Sequence, residues 1–171
     1  MSDLLFVPFQ EYVQSLCELH TEILHVDGTR TGFVKMQSDQ DIQSIPQDAG
    51  SMIVVVSNFI GRAIGDYDTH KLRQNASLMF LKRTASNTGA PYQEVQDAQD
   101  AAMAVMFDFY SRMKFDYDQD DCGPLKYIRT ELMTFTPVDG PVLEEHYGWE
   151  MTIPFDAYAP SYNPVKWTDT P

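Results

Sequence analysis

The chain has 171 residues and a formal net charge of −13, from 25 acidic against 12 basic side chains. That length fits one domain with a proper core, since a globule of this size removes roughly 70% of its extended surface from water. The charge repels nucleic-acid phosphates and anionic membranes unless a local basic patch overrides it, and none is legible. The neighbours Lys71 and Arg73, and Lys82 and Arg83, are expected to flank a strand in solvent. Two cysteines, Cys17 and Cys122, are too few for a disulfide framework or a four-ligand zinc site, and both are expected to be reduced thiols. The opening residues Met1-Ser2-Asp3-Leu4-Leu5-Phe6 lack the basic and long apolar regions of a secretion signal, and no apolar run approaches the ~18 residues that span a bilayer. The expectation is a protein made in the cytoplasm.

From Phe9 to Leu24 the side chains Phe9, Val13, Leu16, Cys17, His20 and Leu24 recur at three- and four-residue steps, predicting an amphipathic first helix. Asp27-Gly28 ends it, and Gly32-Phe33-Val34-Lys35-Met36 reads as a short strand. Gln37 to Gly50 is polar, contains Pro46 and is expected to be a surface loop with at most one helical turn. Met52-Ile53-Val54-Val55-Val56 is β-branched and uninterrupted, the pattern of a strand covered on both faces and the expected centre of the sheet. A second loop, Gly61 to His70, precedes an apolar strand at Ala76 to Lys82, and Ser86 to Pro91 makes a turn.

Between Tyr92 and Phe115 the positions Val95, Ala98, Ala102, Val105, Met106, Phe109 and Met113 keep helical spacing, which predicts the main helix. The acidic run Asp116 to Asp121 and Gly123-Pro124 are expected to stop it. Tyr127 to Phe135 and Tyr147 to Phe155 alternate as an antiparallel strand pair, with Pro154 marking an edge or a strand end. The segment 157–171 has prolines and aromatics but no period. The predicted class is α+β, an antiparallel or mixed sheet packed by an N-terminal helix and one long central helix, in the order α-β-β-β-α-β-β. Residues 1–156 form the domain and 157–171 an extended tail.

Chemistry-bearing constellations are weak. Asp116, Asp118 and Asp120 have the first spacings of a calcium loop, but Asp121 stands where glycine is needed and Tyr127 where the bidentate glutamate belongs. His20 and His25 are five apart, so they do not form the four-step histidine pair of metal hydrolases, and His20 is expected in the core or an interface. His70 follows Asp68 and His146 follows Glu144-Glu145, each a possible acid/base pair with no nucleophile attached. Gly61 to Asp66 lacks the lysine and glycine spacing of a phosphate loop. No catalytic, cofactor or metal site is therefore assigned. The nine tyrosines, ten phenylalanines and two tryptophans exceed what one core needs. Tyr67, Tyr117, Tyr158, Tyr162 and Trp167 lie where exposure is expected, so they serve either an interface or the edges of the core. Tyr67, His70, Tyr158, Tyr162 and Trp167 are the candidate interface residues.

The order of elements, closing with Arg129 to Pro137 and Tyr147 to Phe155, resembles the α+β fold of phage tail terminators and the related tail-completion proteins of the neck. The tail beyond Asp156 departs from a minimal member of that family. The resemblance implies a virion protein that forms a homo-oligomeric ring, usually sixfold, seated on the last ring of tail-tube protein. It would stop tube growth and dock the head-side connector, with DNA passing through the lumen and no membrane involved. Another head-tail joining or tail-completion protein shares the same expectations. A small enzyme or ligand-binding domain would instead need a deep pocket around His70 or His146.

Overall fold

A computed structural model describes residues 6–36, 51–57, 59–64, 71–85, 89–119, 123, 125–142 and 145–158. Helix α1 (Phe6–Leu19) is followed by strands β1 (Phe33–Lys35), β2 (Met52–Val56), β3 (Ile60–Ile64) and β4 (Lys71–Arg83). Then come helix α2 (Tyr92–Gln119), one 3₁₀ turn (Thr130–Leu132), and strands β5 (Thr134–Pro137) and β6 (His146–Tyr158). The class is α+β, as the hydrophobic periods require. The sheet is mixed, in the order β1-β2-β4-β6-β5, with only β1 and β2 parallel.

The sheet is organised by β4. All thirteen of its residues pair with β6, from Lys71 opposite Tyr158 to Arg83 opposite His146. On its other side it pairs first with β3, from Lys71 to Asn75, and then with β2, from Leu78 to Lys82. The long strand β4 is thus the centre, and β2 lies one position out.

Alternation along the strands divides the buried side chains between two faces. Met52, Val54, Val56, Ala76, Leu78, Phe80, Met151, Ile153 and Phe155 meet Phe9, Val13, Leu16 and Cys17 of α1 and Ala102, Val105, Met106, Phe109 and Met113 of α2. Phe155 meets Phe9 edge-on at 5.1 Å between ring centres, and Phe80 meets Phe109 likewise at 5.1 Å. On the opposite face Ile53, Val55 and Leu81 are buried among Val34, Met36, Met79, Val138 and Val142. Both faces of β2 are therefore covered, as its β-branched run requires. Where β6 crosses β4, a Cβ on Gly148 would lie 1.7 Å from the Phe80 carbonyl oxygen, so only glycine permits that approach.

Several boundaries differ from the periodic reading. Helix α1 ends at Leu19, because the chain folds back so that the His25 amide donates to the Cys17 carbonyl at 3.0 Å. Leu24 takes a left-handed φ of 47° and is exposed, and Ile23 fills the core in its place. Residues 61–64, expected in a loop, form most of β3, and β4 begins five residues before its apolar part. The polar Lys71–Asn75 stretch is a strand because its backbone is laddered on both sides, by β3 and β6. The strand expected from Tyr127 is replaced by a bridge at Ile128, the 3₁₀ turn and the short β5. Leu132 is exposed while Ile128 and Met133 are buried, so the apparent alternation there was coincidental.

Helix α2 continues past Phe115 to Gln119 and takes Asp116 and Asp118 into its last turns. Acids there oppose the helix dipole. Asp116 is compensated by Arg112 one turn back and by the Tyr12 hydroxyl, which donates to Oδ2 at 2.8 Å. Pro154 lies inside β6 but past the end of β5. Its carbonyl accepts from the Arg129 amide at 2.8 Å, so its nitrogen faces the same side, away from the β4 ladder, and the proline removes no β4 bond.

Candidate interaction surface

At the end of the sheet where β3, β4 and β6 lie side by side, register collects cations that the sequence scatters. Arg62 of β3 is opposite Arg73 of β4, and Arg73 is opposite Asp156 of β6. Since Ala76, Leu78 and Phe80 point to the helices, Lys71 and Arg73 lie on the face away from them. Arg73 grips Asp156 with both arms of its guanidinium, Nε donating to Oδ1 at 2.6 Å and Nη2 to Oδ2 at 2.8 Å. Arg129 adds a donation from Nη1 to Oδ2 at 3.1 Å and also pairs with Glu131.

The Asp156 side chain is only 6% exposed. The Arg73 hydrogen bonds hold its carboxyl below the usual carboxylate range against the opposing effect of burial, and the nearby Arg129 and Lys71 charges add to them. Glu131 is lowered as well, chiefly by its hydrogen bond from Arg129. Beside this network a cleft of about 220 Å³ is lined by Lys71, Tyr117, Lys126, Tyr127, Arg129 and Asp156. Lys126 stands over the Tyr127 ring at 5.3 Å. Among the described residues Arg62, Lys71 and Lys126 make no ion pair. Among the described residues the end of the sheet thus carries five cations, Arg62, Lys71, Arg73, Lys126 and Arg129, against the carboxylates Asp156 and Glu131.

This is a basic patch in an acidic chain, and the expectation of none is corrected by it. Lys71 and Arg73 do not flank a strand in solvent, since both are partly buried within β4. The clue in the sequence is their two-residue spacing, which puts them on one face of a strand. Asp156 joins them through the β4–β6 register, and Lys126 and Arg129 through the backbone bonds of Tyr127 and Arg129 to β6.

Of the candidate interface residues, Tyr67, His70, Tyr162 and Trp167 lie outside the described residues, as do the expected loop at 37–50 and the segment 159–171. Tyr158 is the last residue of β6, in register with Lys71. Tyr117 is exposed and lines the basic cleft. His20 packs on the Phe109 ring at 5.6 Å, with Nε2 3.4 Å from Asp108. His25 is buried, its Nε2 3.0 Å from Asp27 and its Nδ1 3.3 Å from the Gly32 amide. The two histidines share neither a helix nor a site.

His146 is buried at the start of β6, with no hydrogen-bond partner for either ring nitrogen. Burial pushes its pKa down, the Arg83 charge does the same, and Glu145 opposes them. Among the described residues it lines neither the basic cleft, nor the one between Lys82–Ala85 and the start of α2, nor the one between α1 and α2. Among the described residues no three His, Cys, Asp or Glu side chains converge as metal ligands, and no helix is long and apolar enough to cross a membrane. Burial raises the Cys17 thiol far above its ordinary pKa, which leaves it protonated and unreactive.

The helical layer has the opposite charge. Helices α1 and α2 together hold eight carboxylates against two cations, Arg112 and Lys114. Asp97, Asp100 and Asp108 are exposed and fall on one stripe of α2, along with Phe115, which is 59% exposed. No family model, no curated protein and no solved structure matches this chain.

Proposed function

We propose that this chain is a structural virion subunit of a tailed phage, a tail terminator that forms a ring, closes the tail tube and joins it to the head-side connector. The observation that carries this reading is the order of elements. An amphipathic helix precedes a run of strands, a long helix crosses the sheet, and an antiparallel pair, β5 and β6, closes it. The fold adds to the expected pattern one strand, β3, which pairs among the described residues with β4 alone. The net charge of −13 suits a passage that DNA traverses without adhering. The ring is expected to be sixfold, with tail-tube protein on one side and the connector on the other.

Electron microscopy of the purified chain, alone and mixed with assembling tail-tube protein, tests this reading. Rings, together with tubes whose ends are capped and whose growth stops, are the expected result. A chain that stays monomeric at high concentration and leaves tube growth unchanged overturns it.

A further inference from the structure

We infer that the basic end of the sheet docks on the acidic helical layer of a second copy of this chain, in a head-to-tail contact. The inference rests on the ring reading and supplies its subunit interface. Three observations carry it. First, among the described residues the charges are complementary: Arg62, Lys71, Arg73, Lys126 and Arg129 against Asp156 and Glu131 at the sheet end, and along α1 and α2 eight carboxylates against Arg112 and Lys114. Second, Arg62, Lys71 and Arg73 share the face of the sheet that α1 and α2 do not cover, opposite the acidic stripe of α2, while Lys126 borders that face at the sheet end, across the cleft from Tyr117. A molecule with complementary patches on opposite faces cannot satisfy both in an isologous pair, so the contact repeats from copy to copy and closes into a ring when the rotation permits.

Third, each surface offers an apolar anchor and unspent polar capacity. Ile60 is 77% exposed and lies two residues from Arg62 on the same face of β3. Phe115 stands on the acidic stripe of α2. The outer edge of β3 has no partner strand among the described residues, and Arg62, Lys71 and Lys126 make no ion pair there. Desolvated opposite charges around an apolar contact set both register and association rate.

A charge exchange in the full-length chain tests this. One variant carries Arg62→Glu and Lys126→Glu, and the other carries Asp97→Lys and Asp100→Lys; all four side chains are exposed. Each variant alone is expected to associate at least ~10-fold more weakly than the wild type by analytical ultracentrifugation, while an equimolar mixture recovers assembly because each broken surface meets its reversed counterpart. Circular dichroism checks that each variant is folded, and a salt titration of the wild type reads the same contact without substitution. Wild-type assembly indifferent to salt, variants that assemble normally, or a mixture that fails to recover overturns the interface while leaving the ring intact. Loss of binding to a DNA duplex by the Arg62→Glu/Lys126→Glu variant with assembly unchanged also overturns it, since the basic end would then serve nucleic acid. A wild type that never associates overturns the ring reading itself, and this inference with it.

Discussion

Asp156 and His146 sit on the same strand, and their environments set two separate acid responses. Asp156 is buried between Arg73 and Arg129, and its carboxyl is held below the ordinary range. A carboxylate whose folded pKa is depressed contributes stability above its unfolded value, near pH 4, and that stability is lost as pH falls through the lower folded value. Asp156→Asn is expected to cost about 1–2 kcal/mol near neutrality, less than a fully buried pair because water reaches both arginines. Denaturant titrations should show the gap between variant and wild type closing in strong acid, and a gap that persists there would show that packing rather than charge was lost. His146 behaves as a depressed base: the unfolded chain takes up its proton first, so stability falls as pH drops below the ordinary histidine value of about 6.5. His146→Leu is expected to remove this fall, so that the variant gains relative to wild type between about pH 8 and about pH 5. Parallel pH curves for the two proteins would mean that the ring is not held neutral by its surroundings.

Elements with a strong period were legible in the sequence, and those built by their neighbours were not. The buried face of α2 is Ala98, Ala102, Val105, Met106, Phe109 and Met113, each a residue that helical spacing selects. Strand β2 was legible for a similar reason, since five consecutive apolar residues have no solvent face to mark. Strand β3 and the start of β4 were hidden because Ile60–Ile64 and Lys71–Asn75 owe their extension to backbone pairing and carry few apolar side chains. The basic patch was hidden for the same reason, since its members lie on β3, β4, β6 and the turn before β5. Val55 provides the test at this scale. It is fully buried on the face away from the helices, so Val55→Asp places an unpaired charge there and is expected to cost about 4 kcal/mol or more. Near-native thermal stability of that variant would show that the smaller core does not contribute to folding.

For the whole molecule, the interface inferred above predicts that assembly is a property of the folded domain. On that interface the segment beyond β6 is expected to add to assembly rather than to create it. Because β6 extends to Tyr158, a clean truncation begins at Ala159. Deleting 159–171 is expected to change the melting temperature by no more than about 2 °C while weakening assembly. Sedimentation of the truncated chain decides it, and unchanged association would show that residues 159–171 contribute nothing to it.

The thirteen-residue pairing of β4 with β6 also bears on how the protein is made. β4 leaves the ribosome well before its partner, with all of α2 and β5 still to be synthesised between them. Until β6 emerges, one whole side of β4 has no strand to pair with, and Leu78, Phe80 and Leu81 lack the cover that β6 gives. Folding of the sheet is therefore late and nonlocal, and a chain interrupted before His146 presents a long sticky strand to its neighbours on the polysome.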